Sequence, residues 1–259
     1  FEITTYGDVS EFPQIPEIEY QTQFTTNSVD MFNRIINAMA FTSDDNLRAV
    51  LTSVLLNSSP EGLTIVATDS VRLVKYQTDI MLENISVMLP KRAIEILKNL
   101  PRESVAISIS ESAIKFDTSD YVLVARLING KYPSYQAIIP TSNNIVVVCD
   151  KNLLMGSLAR MSLVANPVTR LIKFRISKDS LQVSAQDSNS SSGGVEFMPC
   201  EYEGEEMTIG FNYSKLNDLL KLISSDTIRF EISQPKKPVI IKDTKDDSLL
   251  SLIMPSSVE

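Results

Sequence analysis

Histidine is absent from the sequence, and with it go Ser-His-Asp and Cys-His nucleophilic sites and every His-ligated metal centre. Two cysteines remain. Cys149 closes the β-branched run Ile145–Val148 and reads as a small core residue, while Cys200 follows Pro199 near an acidic stretch. A Cys149–Cys200 disulfide is neither required nor excluded. Carboxylates come in adjacent pairs, Asp44-Asp45, Glu205-Glu206 and Asp246-Asp247. Each falls in an expected turn or strand end, where solvated charge is expected rather than a general acid and base. With eight glycines and no phosphate-cradling Gly motif, no catalytic centre, cofactor or metal is expected. What recurs is binding chemistry. Arg34, Lys91, Arg92, Lys98, Arg160, Lys215 and Lys221 all fall on expected helices. The stretch Leu63–Lys75, LTIVATDSVRLVK, offers a second set of contacts. Leu63–Ala67 is apolar and β-branched, Thr68-Asp69-Ser70 has turn chemistry, and Val71, Leu73 and Lys75 alternate with Arg72, Val74 and Tyr76. It predicts a hairpin whose tip presents Thr68, Asp69, Ser70 and the base of Arg72.

Composition sets the bounds. The 259 residues are 43% hydrophobic and 22% charged, with a net charge of −8. That suits a globular protein of one large or two ordinary domains. No run approaches the ~18 apolar residues of a membrane span, and no basic-then-apolar leader opens the chain. Two cysteines in this length suit a reducing, cytoplasmic compartment. The acidic balance does not announce nucleic acid, yet an acidic protein can be basic on one face.

The elements that must position these residues follow from periodicity. Residues 1–23 read as a strand, FEITTYG, and a Pro-rich acidic linker. Thr25–Ser28 supply N-cap residues for an amphipathic helix over 28–41, with Val29, Phe32, Ile35, Ile36 and Met39 on its apolar stripe. A loop at Thr42–Asn46 leads to strands at Leu51–Leu56 and in the 63–76 hairpin, with a turn at Ser58–Gly62 between them. A strand at Ile85–Leu89 precedes a short helix begun by Pro90 and carrying Ile94, Leu97 and Leu100. Strands follow at Val105–Ser110, Ala113–Asp117 and Tyr121–Leu127. The pattern then restarts: a strand at Asn144–Cys149, Asp150 as N-cap, a helix with Leu154, Leu158 and Met161, and strands at Leu171–Ile176 and Leu181–Ala185. Ser188–Gly194 reads as a flexible connection. A strand at Met207–Phe211, an Asn212 cap, a helix with Leu216, Leu219, Leu220 and Ile223, and strands at Ile228–Ile232, Val239–Lys242 and Leu249–Ile253 complete the chain.

The two halves align. Ile94 to Leu216, Leu97 to Leu219 and Pro133 to Pro255 are each offset by 122 positions, and Asn27 to Asp150 and Val105 to Ile228 by 123. A repeat of about 120 residues is expected, with residues 1–13 as the stub of an earlier unit that is missing. The organisation is 1–23 as the end of that unit plus a linker, 24–140 as one domain and 141–259 as the next. The fold class is α+β, each unit having two short helices packed on mostly antiparallel sheets.

A repeat of this size, with two short helices per unit, resembles the bacterial DNA polymerase III beta subunits, the sliding clamps. VATDSVRLV (Val66–Val74) is similar to that family's ATDGHRL signature. LPKRAIEILKNL (Leu89–Leu100), LINGKYPSY (Leu127–Tyr135), MTIGFNYSKLNDLL (Met207–Leu220) and SLIMP (Ser251–Pro255) extend the resemblance along nearly the whole chain. Ser70-Val71 replace the signature's Gly-His, Ser256-Ser257-Val258 follow the terminal MP, and Thr169 stands where the family has an aromatic residue. The resemblance implies the second and third domains of a DNA-clamp fold. It implies a non-catalytic processivity factor that encircles duplex DNA irrespective of sequence. Replicative polymerase, clamp loader and repair proteins would be tethered through short linear motifs. The implied peptide pocket comprises Arg48, Leu51, Thr68, Ser70, Val71, Arg72, Leu73, Pro133, Ile138, Asn212, Leu252, Ile253, Met254, Pro255 and Ser256, with Arg48, Arg72 and Asn212 at its rim. The seven helical cations would face DNA, and Leu163 and Val164 would form the ring interface of a homodimer. Without the earlier unit this chain is expected to be a monomer. The competing reading is a tandem β-rich cell-surface carbohydrate-binding or adhesion module, against which stand the missing leader and the absence of tryptophan.

Overall fold

The computed structural model describes residues 18–27, 29–100 and 104–258. The first unit runs β1 (Thr22–Thr26), α1 (Val29–Met39), β2 (Ser53–Ser59), β3 (Gly62–Thr68), β4 (Arg72–Gln77), β5 (Ser86–Pro90), α2 (Lys91–Leu97), β6 (Val105–Ile109), β7 (Ala113–Asp117) and β8 (Val122–Arg126). The second repeats that order as β9 (Ile145–Asp150), α3 (Lys151–Ser162), β10 (Leu171–Ser177), β11 (Ser180–Asp187), β12 (Ser192–Glu201), β13 (Met207–Asn212), α4 (Tyr213–Leu220), β14 (Thr227–Ile232), β15 (Val239–Asp243) and β16 (Leu249–Ile253). The Phe1–Gly7 strand, the rest of the 1–13 stub and the Ser28 cap residue lie outside the described residues.

Local chemistry sets the helix starts. The Asp150 carboxylate accepts from the Leu153 N–H at 2.8 Å and the Asn212 side chain from the Lys215 N–H at 3.1 Å, each satisfying an amide that the helix leaves open. On α1 the buried stripe is Met31, Phe32, Ile35 and Ala38, so Val29 faces solvent instead. Pro90 ends β5 and stands just before α2 rather than inside it. Asn46–Thr52 forms 3-10 turns where the sequence suggested loop and then strand, and Leu51 enters the core from them.

Among the described residues every strand pairing is antiparallel. One sheet has the order β1-β6-β7-β8; the other is twelve strands wide, β13-β10-β11-β12-β9-β14-β15-β16-β4-β3-β2-β5. The second unit therefore continues into the first through β16 and β4. Helices α1 and α2 pack together in one unit, α3 and α4 in the other. Beneath them lies one core shared by both units, with edge-on aromatic contacts Phe32–Phe116 and Phe174–Phe211. A smaller cluster of Leu55, Val66, Leu73, Met88, Tyr135 and Leu252 is packed over by Ile128, Tyr132 and Ile139 of the segment joining the units.

Of the flexible connection expected at Ser188–Gly194, Ser188–Ser191 form the turn between β11 and β12, and Ser192–Gly194 are strand. Ser192, Gly193 and Gly194 pair with Asp187, Gln186 and Ala185. Composition misled because the ladder is made by backbone, and Gly194 serves packing: a Cβ there would lie 3.0 Å from the Met161 Cε of α3. The repeat survives in space with one exception. Thr26 pairs with Val105 and Cys149 with Ile228, which matches the 123-residue offset. Pro133 and Pro255 are not equivalents. Ile128 N–H bonds to the Met88 carbonyl on β5 as Ser256 N–H bonds to the Gly210 carbonyl on β13. The offset grows because the β14–β15 and β15–β16 loops are longer than those they repeat.

Gly62 opens β3 with φ +113°, and a Cβ there would stand 2.1 Å from the Thr78 carbonyl oxygen. Gly62→Ala is expected to destabilise the fold by at least ~2 kcal/mol, read as an earlier midpoint in urea unfolding with the same slope.

Candidate functional site

The site is built on the ladder between β4 and β16. Arg72, Leu73, Val74, Lys75 and Tyr76 stand opposite Ile253, Leu252, Ser251, Leu250 and Leu249. The Met254 N–H to Val71 carbonyl bond (2.7 Å) and the Gln77 N–H to Ser248 carbonyl bond (2.9 Å) extend it at both ends. Side chains alternate across a strand. Val74, Tyr76 and Ile253 enter the main core under the helices, and Leu73 and Leu252 enter the smaller cluster on the opposite face.

On that opposite face a cleft of about 660 Å³ opens between the units. Eight residues of the expected pocket line it: Thr68, Ser70, Val71, Arg72, Leu73, Ile138, Leu252 and Met254. The others lie elsewhere. Leu51 and Ile253 are core. Pro133 lines a separate hollow beside Gly130 and Tyr132. Asn212 is spent on the α4 cap and on the Thr169 carbonyl at 3.3 Å, so neither its amide nor Thr169 borders the cleft. Pro255 and Ser256 have passed it, Ser256 bridging to Gly210. Arg48 is not in the lining but touches the lip, its Nη1 3.1 Å from Ser70 Oγ. The sequence reading missed Ala137, Ile139, Pro140 and Ser142 of the joining segment, and Ser233, Gln234, Lys237 and Pro238 of the β14–β15 loop. That loop is longer than its counterpart between β6 and β7, and comparing the repeats would have exposed it.

The hairpin tip is held rigidly. Asp69 Oδ1 accepts from the Val71 and Arg72 amides at 2.9 Å each. Its Oδ2 accepts from Arg72 Nε (3.1 Å) and from Lys215 Nζ on α4 (2.5 Å). Thr68 Oγ1 donates to the Arg72 carbonyl and accepts from the Ser70 amide. These bonds keep Ser70 at φ +74°, a left-handed conformation that glycine takes more readily. Burial pushes the Asp69 carboxyl up, but the Lys215 ammonium and the Arg72 and Val71 amides outweigh it and hold it below its ordinary value.

Arg72 is not at the rim. Its side chain is 10% exposed. Nη1 donates to Asp218 Oδ2 at 2.8 Å and Nη2 to the Ala40 carbonyl at 3.2 Å, and the guanidinium lies 4.7 Å from the Phe41 ring centroid. It ties the first unit's hairpin to α4 of the second. At the ladder's other end Arg34 does the same, donating to the Gln77 carbonyl (2.8 Å) and Ser248 Oγ (2.7 Å), pairing with Asp30 and lying over Tyr76.

So two of the seven helical cations, Arg34 and Lys215, are committed to the junction. Lys91, Arg160 and Lys221 form surface pairs with Asp44, Glu196 and Asp218, which a phosphate can replace at little loss. Arg92 and Lys98 are exposed and make no ion pair among the described residues. Of the expected interface pair, Leu163 is 84% exposed, while Val164 packs against the core. Phe197 and Val195 are also exposed, at 71% and 54%, on the Ser192–Pro199 stretch of β12, which among the described residues pairs with β11 on one side only. The acidic pairs have structural duties. Asp45 caps Leu47 and pairs with Arg48, Glu206 pairs with Arg175, and Asp246 accepts from Ser248. No group of three or more metal-ligating side chains occurs among the described residues.

The DNA polymerase III beta subunit central-domain family matches residues 26–134, and the C-terminal-domain family matches residues 136–257. The beta sliding clamp of Chlamydia muridarum is 30% identical over 253 residues, covering 95% of this chain and 68% of that protein. The chain belongs to the bacterial beta sliding clamp family. Two solved clamps share its fold with a TM-score of 0.91, this chain covering 70% of each of theirs. They are one from Pseudomonas aeruginosa with a ligand (24% identical, 97% of this chain) and one from Bartonella birtlesii bound to griselimycin (23%, 96%). The family's central and C-terminal domains are thus the β1–β8 and β9–β16 units of this clamp, and the cell-surface adhesion reading finds no support.

In this clamp the folded Asp69 carboxyl lies below its unfolded value. Its stabilising contribution is therefore complete above about pH 4 and lost as pH falls through the folded value. Asp69→Asn is expected to reduce stability at pH 7 by about 3 kcal/mol, because Arg72 and Lys215 lose a buried partner. It should also flatten the acid limb of a urea-midpoint-against-pH profile. Asp243, held at about 2 by backbone and serine donors despite its burial, keeps some of that limb in the variant.

Proposed function

We propose that the protein is a non-catalytic processivity factor of DNA replication that encircles duplex DNA and tethers polymerase, clamp loader and repair proteins through the cleft between its units. The observation that carries this is the cleft's placement. An apolar groove floored by Leu73 and Leu252, one from each unit, lies on the face of the sheet away from the helices that bear the cations. Partner segments with apolar anchors fit such a groove, and Met254 at its edge, 37% exposed, adapts to differing side chains. Lys91, Arg92, Lys98, Arg160 and Lys221 supply a sequence-independent phosphate face, and the net charge of −8 leaves the rest of the surface repelling DNA. The ring closes by the rule that joins β16 to β4: the Ser192–Pro199 edge of β12, with Phe197, Val195 and Leu163, takes an end strand from another unit. The protein works in the cytoplasm, in keeping with two free thiols. No helix among the described residues is long and apolar enough to cross a membrane.

A fluorescent peptide of the Gln-Leu-x-Leu-Phe type tests the tether. Saturable binding is expected, about 10-fold weaker in Met254→Ala. The absence of saturable binding, or an affinity indifferent to Met254, would reject the cleft as the tether. Arg72→Ala is a poor test, because it also breaks the junction. For the DNA face, Arg92→Glu combined with Lys98→Glu should weaken low-salt duplex binding and reduce the log K against log salt slope by about 2, leaving peptide affinity unchanged.

A further inference from the structure

Cys149 and Cys200 stand directly opposite each other where β9 meets β12. Only two residue pairs form that ladder, and it is the seam joining the second unit's two four-stranded sheets. The Cys200 N–H bonds to the Asp179 carbonyl, on the β11 side of its strand. In an antiparallel ladder the N–H and C=O of one residue point the same way, so both point away from Cys149. Opposed residues of this type have Cα atoms about 4.5 Å apart and side chains close together on one face. That separation falls inside the ~4.4–6.8 Å that a disulfide spans. Both cysteines are free, both are buried, and both belong to the same core cluster.

We propose that Cys149 and Cys200 are an oxidative modification site: in the folded chain an organic disulfide such as oxidised glutathione converts them to a cross-strand disulfide. One protein thiolate attacks a sulfur of the oxidant, whose S–S bond breaks. A mixed disulfide forms and one glutathione thiolate leaves. The second protein thiolate then attacks the protein sulfur of the mixed disulfide and expels the other glutathione. Two protein thiols are oxidised, one glutathione disulfide is reduced to two thiols, and the two protein protons end on the leaving thiolates. Burial pushes both thiols up, Cys149 to about 12, so the closed seam protects them and reaction follows parting of the two-pair ladder. Once formed, the bond pins β12, which carries the exposed Val195 and Phe197, to β9.

The test is peptide mapping of the whole chain after native incubation with oxidised glutathione. The expected product is a tryptic pair, Tyr132–Lys151 joined to Asp179–Lys215, with loss of both titratable thiols from monomeric protein and a Tm raised by about 5 °C. Cys149→Ala and Cys200→Ala should each abolish the joined pair and the Tm shift. The wild-type map decides the matter even if a variant folds poorly. Thiols that stay free, glutathione adducts that never resolve, cross-links between chains, or a joined pair that forms only in urea would each overturn the proposal.

Discussion

The molecule depends on one ladder, β4 against β16, and on the guanidinium lodged beneath it. Backbone pairing alone would let two units slide, because register is fixed by what the side chains meet. Here Arg72 meets two carboxylates, a carbonyl and an aromatic face, contributed by its own hairpin, by the end of α1 and by α4 of the other unit. A buried cation with fewer partners would favour separation of the units. With all of them it favours one arrangement, since any slip strands the charge. Arg34 applies the same constraint at the far end of the ladder. Between these latches the alternation of the strands leaves Leu73 and Leu252 on the other face, and the apolar groove is a consequence.

That arrangement redistributes the positive charge. A cation on a helix beside a sheet junction can satisfy backbone carbonyls and carboxylates at short range, and those partners compete with a phosphate at longer range. Lys215 and Arg34 are held by such partners. Lys91, Arg160 and Lys221 keep weaker, exposed ones. The availability of these cations is therefore graded. Arg92 and Lys98 on or beside α2 are the most available, and α3 offers Arg160 only by displacing Glu196.

The repeat was legible because it is written in apolar spacing and caps: Asp150 and Asn212 start their helices as their residue types require, and Ile94 and Leu216 hold corresponding places. Fold class followed from that. What escaped was set by backbone contacts that leave little trace in residue type. Ser192–Gly194 look like a linker because their side chains are small, and Gly194 is small because Met161 of α3 lies against it. Pro133 and Pro255 matched by number but not in space, since loop lengths between strands shift without disturbing the core. Of the residues expected to form a pocket, those of the hairpin tip, with Leu252 and Met254 at the terminal strand, border the cleft, and their motifs point to them. The lining from Ser233–Pro238 was missed, because loop polar residues carry no periodicity. Arg72 was placed in the right region with the wrong duty, because a single arginine does not announce whether a carboxylate from a distant helix reaches it.

The groove belongs to neither unit. Leu73 comes from the first unit and Leu252 from the second, and they face each other across the β4–β16 ladder. Joined, they bury each other and leave space where the joining segment at Ile138–Pro140 and the β14–β15 loop stop short of contact. Duplication makes such a place available, because the end strand of the second unit pairs with β4 of the first. Here the hairpin tip is locked by Asp69, and one wall of the groove is set by the fold itself. The ion cluster on the helix side therefore acts on the groove through the shape of the Ser70–Val71 turn.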